Sequence, residues 1–261
     1  MAEVEWQRLK APQLRAHAES GAVVIVPVAA IEQHGPHLPT MVDTRLGHEV
    51  AVRAARKATA AGTTTLVTPV LWGGISEHHM AFGATLTVSP ATFQAILRDV
   101  ANSLIRHGFT RILISNSHGG NQRAMQHAAE TLAMEGNATV VAATYANEAA
   151  AAIGELLEDQ DGVRHAEEAE TSMMLALEPD LVDASALDTL ATPTDRAFLS
   201  AGKASFRWRP FSHVTANGVV GNPTRARADK GEALLEAASD GIAALILAED
   251  TWGPVMDRRA L

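Results

Sequence analysis

One short stretch of the chain, Ile25 to Asp43, constrains the fold and the chemistry more than any other. An apolar run that begins at Val23 ends abruptly at the polar segment EQHGPH, which carries Glu32 and His34. The run predicts a buried strand, and ligands bind at the carboxyl ends of such strands because loops and helix N-termini converge there. Carboxylate and imidazole groups suit zinc, manganese or iron, and carboxylates can bridge two ions. The stretch therefore predicts half of a metal site.

Length, composition and charge narrow the class of protein. A chain of 261 residues can bury a large core, and its length fits one α/β domain over residues 1–261 better than two. It has no cysteine, so any metal must be held by His, Asp and Glu side chains. The formal charge of -9, without a basic cluster, argues against nucleic acid as a partner. Small-molecule substrates and further copies of the chain are the expected partners.

The N-terminal segment and the apolar runs indicate where the protein works. Residues 1–20 carry charges throughout and lack the apolar centre of a secretory signal. No apolar run approaches the ~20 residues that span a bilayer. We therefore expect a cytoplasmic protein without a membrane partner.

Strand patterns and helix patterns alternate along the chain. In order, they predict a strand from Val23, a helix over Arg45–Ala61, a strand over Thr64–Val70, a helix from Ser89 to about His107, strands over Arg111–Ser115 and Asn137–Tyr145, and a last helix from Asp229 to about Leu247. The segment from Asp188 to Pro210 lacks a clear period and predicts an irregular flap. The alternation favours an α/β fold with a mostly parallel sheet between helical layers.

A second polar segment, NSHGGN, follows the predicted strand Arg111–Ser115. It places His118 at the carboxyl end of that strand, as Glu32 is placed on the first strand. The paired glycines let the backbone approach whatever His118 binds. Asn121 is a suitable cap for the helix that follows.

Two further polar stretches are candidates for function. The loop from Trp72 to Gly83 is longer and more polar than a connector needs, and its adjacent histidines favour a functional loop. The segment HAEEAETS leads directly into an apolar helix. Its His165 and Glu168 are three residues apart and share one face of a helix, whereas Glu170 points elsewhere.

Five motifs in this order resemble those of the creatininase family of metal-dependent amidohydrolases. They read IEQHGPHLP followed by Asp43, HMAFGATLT, NSHGGN, HAEEAETS and GNPTRARADKGE, and the last one ends at residue 232. The resemblance implies a three-layer αβα sandwich around a four-stranded parallel sheet. It also implies a centre of two divalent metal ions and, in many members, a hexameric assembly.

The resemblance further implies which residues hold the metals. The family's ligand positions are occupied by Glu32, His34, Asp43 and His118. Asp43 would bridge the ions, with Glu32 and His118 on one ion and His34 on the other. Zinc is the expected metal, with manganese and iron as alternatives.

Some positions depart from creatininase itself. Where creatininase has a further glutamate ligand, two residues after the histidine of NSHGGN, this chain has Gly120. By resemblance to relatives with the same double glycine, Glu168 is expected to be the fifth ligand, with Glu170 as the alternative. A Glu170 that is not a ligand is expected to hold an arginine or a ligand histidine. Arg164 replaces the glutamate before the catalytic histidine and two substrate-holding tryptophans are absent, so creatinine is not the expected substrate.

These assignments predict an amidohydrolase that cleaves a carbon–nitrogen bond other than a peptide bond, in a small cyclic amide or a formamide, through a metal-activated water. The predicted catalytic residues are His165, as the proton donor to the leaving nitrogen, and Glu168. The predicted substrate contacts are His37, Ser76, His79 and Arg164, whose guanidinium suits a carboxylate or phosphate. Trp208 is predicted to line either a pocket or a subunit interface.

Three alternative functions stay open at this point. Two lie within the same family: a ring-opening hydrolase of a keto-sugar, and a peptidase that acts on a short peptide tail. The third is a non-catalytic, oligomeric binding module. Metal content separates the third from the others, because a binding module needs no bound ions.

Overall fold

A four-stranded parallel sheet forms the centre of the computed structural model, which describes residues 2–192, 205–256 and 258–260. Its strands are β1 (Val23–Val28), β2 (Thr65–Val67), β3 (Arg111–Asn116) and β4 (Thr139–Thr144). Their order in the sheet is β2-β1-β3-β4, and every neighbouring pair is parallel. The predicted parallel sheet is confirmed, although β2 is shorter than predicted.

Helices cover both faces of this sheet. They are α1 (Ala11–Glu19), α2 (Val42–Ala60), α3 (Pro90–Arg106), α4 (Gln122–Met134), α5 (Tyr145–Glu148), α6 (Ala150–Leu156), α7 (Glu168–Leu177), α8 (Ala228–Leu247) and α9 (Glu249–Trp252). Short 3-10 turns lie at Trp6–Arg8, Glu77–Phe82, Gly119–Asn121, Pro179–Leu181, Ala184–Thr189, Phe211–His213, Pro223–Arg225 and Arg258–Ala260. Within the described residues, no helix is both long and apolar enough to cross a membrane.

The burial of β1 explains the three layers. All six of its residues are buried, as expected of a parallel strand that is covered on both faces. Successive side chains alternate between the faces: Val23 and Ile25 pack with α2, α7 and α8, whereas Val24 and Val26 pack with α3 and α4. The predicted αβα sandwich is therefore confirmed.

Two local features differ from the sequence prediction. Helix α2 begins at Val42, three residues before the predicted start, so Asp43 lies inside its first turn. Asn121 does not cap α4 through its side chain. Instead its amide donates to the carbonyl of Ala29 and its oxygen accepts from the amide of Ile75, which ties the end of β1 to the loop before α3.

The predicted flap, Asp188 to Pro210, is only partly described. Its residues 193–204 lie outside the described part of the chain. The part from residue 205 onward leads into the 3-10 turn Phe211–His213, which contacts the turn Glu77–Phe82. This contact brings the end of the flap over the carboxyl edge of the sheet.

Candidate metal centre

The carboxyl ends of the two central strands bring the predicted metal-binding residues together. Strand β1 leads to Glu32 and His34, and β3 leads to His118. Because the last residues of the two strands are paired, their loops leave the sheet side by side. Asp43 reaches the same place from the first turn of α2. All four side chains are buried.

Asp43 lies between two histidines and turns one oxygen to each. Its Oδ2 is 3.1 Å from His118 Nδ1, and its Oδ1 is 3.4 Å from His34 Nε2. On one side, Glu32 Oε1 lies 3.2 Å from His118 Nδ1. On the other side, Glu170 Oε2 lies 3.7 Å from His34 Nε2. This is the arrangement that a carboxylate shared by two cations requires.

The buried atoms of this cluster fit divalent cations. Among the described residues, no well-aligned hydrogen bond satisfies Glu32 Oε2, His34 Nε2 or Asp43 Oδ2. Buried polar atoms are normally satisfied by protein, water or an ion, because leaving them unpaired costs free energy. The ligand atoms of His34, Asp43 and Glu170 all lie within 4.8 Å of one another, as do those of Glu32, His78 and His118. Mixed imidazole and carboxylate ligands suit zinc, manganese or iron.

The pKa values of the cluster residues show that its excess of carboxylates favours bound positive charge. Burial raises the pKa of Glu170 to about 7. Although burial opposes a charged imidazole, the nearby carboxylates of Asp43 and Glu170 raise the pKa of His34 to about 9. The carboxylates of Glu32 and Asp43 likewise outweigh burial and raise the pKa of His118. Protons on the histidines therefore offset the charges that cations would neutralise.

Backbone carbonyls orient both histidines. His118 Nε2 lies 3.0 Å from the carbonyl of Ile75, and His34 Nδ1 lies 3.1 Å from the carbonyl of Glu32. Each ring therefore presents its other nitrogen to Asp43, as metal-binding histidines commonly do. Ser76 Oγ also lies 3.3 Å from His118 Nε2. Ser76 is fully buried beside this ring and is not among the residues that line the cavity, and its role as a substrate contact stays a prediction.

The structure does not bring Glu168 to the cluster. Its carboxylate contacts the ammonium group of Lys230 and accepts from the amide of Glu158 at 3.2 Å. Glu168 and Lys230 are both buried. The glutamate beside His34 is Glu170, which also accepts from the amide of Ala166 at 2.5 Å. Glu170 therefore replaces Glu168 in the candidate ligand set.

The backbone before α7 explains this difference. Helix α7 begins only at Glu168, with Glu167 as its N-cap, so His165 is not part of the helix. Ala166 has a φ of 54°, in the left-handed region, which turns the chain between His165 and the helix. A three-residue spacing places two side chains on one face only when both belong to the same helix. His165 and Glu168 consequently point to different surroundings.

His165 and His79 form an aromatic group beside Glu32. Their ring centroids are 4.4 Å apart, and the Phe211 ring covers both at 4.2 Å from His79 and 5.1 Å from His165. His79 Nε2 is 3.2 Å and His165 Nδ1 is 3.7 Å from Glu32 Oε1. Gln33 contacts both rings. Its side-chain nitrogen lies 2.8 Å from His79 Nδ1, and its backbone carbonyl oxygen lies 2.8 Å from His165 Nε2.

A cavity of about 1030 Å³ opens onto this cluster. Its wall includes Glu32, His118, His165 and His79, so the predicted substrate contact His79 is well placed. Arg164 also lines the cavity, but its guanidinium is paired with Asp161 at 2.6 Å. Trp208 lines the cavity as well, as one of its two predicted positions requires. The cavity gives a substrate access to the metal-binding side chains.

Several residues beside the cluster or along the cavity wall were not predicted from the sequence. Gln33 lies inside the EQHG motif, yet no spacing rule connects it with His165, which is 132 residues away. Phe206 comes from the aperiodic flap and Phe211 follows directly after it, where the sequence predicts no particular neighbour. The aromatic residues of this region, which follows the metal-binding motifs, are the sequence signal from which an aromatic cavity wall could have been predicted.

His37 lies away from the cavity wall. Its Nε2 is 2.9 Å from Thr171 Oγ1, and the ring is buried. Burial and the charge of His34 lower the pKa of His37 to about 4. His37 therefore packs between the EQHGPH loop and α7, and its role as a substrate contact stays a prediction.

Replacing His37 by Gln should make protein stability less sensitive to acid. In the unfolded chain a histidine has a pKa near 6.5, whereas in the folded protein the pKa of His37 is about 4. The wild-type protein therefore loses stability as the pH falls through this window, by up to about 1.4 kcal/mol per pH unit from this one group. Urea unfolding at pH 7, 6 and 5 measures the slope. The exposed His127 provides the matched control, since His127→Gln should leave the slope unchanged. Equal slopes in the His37→Gln and wild-type proteins would contradict the prediction.

A family model and individual relatives both match this chain to the same family of proteins. The family model described as "Creatininase: Creatinine amidohydrolase" matches residues 7–246. A mycofactocin precursor peptide peptidase from Mycolicibacterium smegmatis is 31% identical over 240 residues, which cover 92% of this chain and 88% of the relative. A creatinine amidohydrolase from Pseudomonas putida is 30% identical over 263 residues, which cover 95% of each chain.

Solved structures agree with these relatives. The crystal structure of a putative creatinine amidohydrolase from Bacteroides fragilis has a TM-score of 0.83 and 29% identity, covering 98% of this chain and 100% of the other. A creatininase variant described as "Zn-Zn type" has a TM-score of 0.78 and 27% identity, covering 97% of this chain and 100% of the other.

Proposed function

The chain belongs to the creatininase family, and on this premise we propose that it is a metal-dependent hydrolase that cleaves the carbon–nitrogen bond of an amide. The observation that carries the proposal is the position of Asp43, which turns one oxygen to His118 and the other to His34. A buried carboxylate between two imidazoles, with a further carboxylate on each side, is suited to two cations and to little else.

We assign the ligands to two groups that share Asp43. Glu32 and His118 hold one ion, and His34 and Glu170 hold the other. When bound, two divalent ions supply Lewis acidity, orient the substrate carbonyl and lower the pKa of a water towards neutrality. Zinc and manganese are the first choices because both suit imidazole and carboxylate ligands.

His165 is assigned to proton transfer. We assign His165 the tautomer in which Nε2–H donates to the backbone carbonyl of Gln33, the shorter of its two contacts with Gln33, which leaves the lone pair on Nδ1, the nitrogen that faces Glu32. Burial and the charge of His34 hold the pKa of His165 well below its ordinary value, so the ring is neutral near pH 7. A neutral Nδ1 can accept a proton from the attacking water and pass it to the leaving nitrogen. Phe211 shields this nitrogen from bulk solvent.

Replacing His165 by Ala should leave the metal content unchanged and lower kcat by roughly 10²–10⁴-fold, the loss typical of a missing proton-transfer group. A substrate whose leaving nitrogen is a weak base should suffer less, because it needs less protonation. Elemental analysis and kcat on two substrates of different leaving-group basicity measure both effects. Loss of metal in the His165→Ala protein would make His165 a ligand, as its place in a group with Glu32 and His34 permits.

The proposed function is tested by metal content together with a substrate panel. We expect about two divalent ions per chain, and turnover of an amide that chelation abolishes and that zinc or manganese restores. The panel contains cyclic amides, formamides, lactones, creatinine and short peptides. Protein that carries no divalent ion and hydrolyses nothing in the panel would instead support the non-catalytic binding module.

A peptidase acting on a short peptide tail is the second candidate function. It is favoured by the similarity to a mycofactocin precursor peptide peptidase and by a cavity far larger than a single small ring fills. Short peptides in the panel distinguish it from hydrolysis of a cyclic amide or a formamide. The homo-oligomer, its hexameric size and the cytoplasmic location stay predictions.

A further inference from the structure

The cavity continues outward beyond the metal-binding side chains. Its inner wall is formed by His79, His118 and His165, and its outer wall includes Phe206, Trp208 and Arg123. Its volume of about 1030 Å³ reaches the upper end of the range for pockets that hold drug-sized ligands. A substrate cleaved at the inner end therefore has room for further groups at the outer end.

Among the residues that the structure describes, Arg123 is one of three arginines that line this cavity, together with Arg164 and Arg209. It lies in the first turn of α4, and its guanidinium carbon stands 3.6 Å from the centre of the Phe206 ring. Stacking on an aromatic ring fixes the plane of a guanidinium and leaves its N–H donors free at the edge. Among the described residues, no carboxylate pairs with Arg123, whereas Arg164 in the same cavity is paired with Asp161.

The surroundings of Arg123 favour an anionic ligand. The chain carries a formal charge of -9, so an anion approaching its surface needs a local cation to bind. The flat fork of a guanidinium matches a carboxylate with two parallel hydrogen bonds. The neighbouring rings of Phe206 and Trp208 suit an aromatic or apolar side chain next to that carboxylate.

Building on the proposed hydrolase function, we propose that Arg123, held in plane by Phe206, binds the free carboxylate of the substrate. The substrate class is then a short peptide whose free carboxylate lies several bonds away from the cleaved amide. Its amide lies at the metal cluster and its carboxylate at the outer end of the cavity. Arg123 selects such substrates over neutral amides of the same size.

The test compares an acid with its amide. The probes are an N-acetylated tripeptide that ends in phenylalanine, as the free acid and as the amide, and a longer peptide with a free or an amidated C-terminus. Calorimetry measures binding of the first pair, and kcat/KM is measured for the second. We expect the wild-type protein to prefer the acid by roughly 10- to 100-fold, as a charged hydrogen-bonded pair provides. In the Arg123→Gln protein, the affinity and kcat/KM for the acid should fall to the values for the amide.

Two further variants sharpen the result. Arg106→Gln removes an exposed arginine of α3 that does not line the cavity, and it should keep the full preference. Phe206→Leu removes the stacking ring and should reduce the preference by roughly two- to five-fold. Glutamine is a good helix former, so the exposed position 123 tolerates it.

The outcomes separate this inference from the proposed function. A wild-type protein that cleaves amides but does not distinguish acid from amide overturns the role of Arg123 and leaves the hydrolase intact. The role of Arg123 is also overturned if Arg123→Gln keeps the preference, or if Arg164→Gln alone removes it. A protein that cleaves nothing, yet binds the acid more tightly through Arg123, supports the carboxylate site and refutes the hydrolase.

Discussion

The Asp43→Asn protein should bind neither of the two metal ions and should lose at least roughly 10³-fold in turnover, since bound cations contribute several kcal/mol to such reactions. A neutral amide has one oxygen to offer and no charge, so it cannot replace a carboxylate that faces both His118 and His34. Elemental analysis of the purified protein and kcat on the best substrate of the panel measure the two effects.

The loss should come from the metal centre and not from misfolding. Ser117 Oγ donates to the backbone carbonyl of residue 43 at 2.8 Å, and this bond does not depend on the side chain. Circular dichroism of Asp43→Asn should therefore match the wild type. Asp240→Asn is the matched control, because Asp240 is an exposed residue of α8 paired with Lys57. Full metal occupancy in Asp43→Asn would refute the assignment of the shared ligand.

Replacing Lys230 by Met should destabilise the protein by about 3–5 kcal/mol, the usual result of leaving one partner of a buried ion pair without the other. Lys230 and Glu168 are both almost fully buried, and they join α8 to α7. Two backbone amides, of Glu158 and Asp159, complete the surroundings of the Glu168 carboxylate. Urea unfolding measures the free-energy change, and the metal content should remain that of the wild type.

A double variant gives this prediction its internal control. Replacing Glu168 by Leu together with Lys230→Met removes both buried charges, and most of the lost stability should return. Failure of the double variant to recover would mean that packing, and not the unpaired carboxylate, explains the loss in Lys230→Met.

Helix α7 carries two buried glutamates, Glu168 and Glu170, whose roles can be compared directly. Glu168→Gln should keep the metal ions and lose stability, because the buried Lys230 then keeps only the partly exposed Glu158 as its counter-charge. Glu170→Gln should lose one ion, because Glu170 is the carboxylate beside His34. The opposite pattern, with metal loss in Glu168→Gln and none in Glu170→Gln, would restore the ligand set predicted from the sequence.

The αβα architecture and the four central cluster residues could be predicted from the sequence alone. The reason is geometric: a buried apolar run defines a parallel strand, and the carboxyl ends of parallel strands always meet at one edge of the sheet. Glu32, His34 and His118 follow such runs, and Asp43 follows at the start of the next helix. The identity of these residue types then pointed to metal binding.

The tertiary structure alone decided what surrounds this cluster. The choice of Glu170 over Glu168 depends on the left-handed backbone at Ala166 and on Lys230, which is 62 residues away from Glu168 in the chain. The cavity wall depends on where an aperiodic flap returns to the sheet, and it places Phe211 against His79. Periodicity reports only neighbours within one helix or strand, so contacts between distant segments stay hidden until the chain is folded.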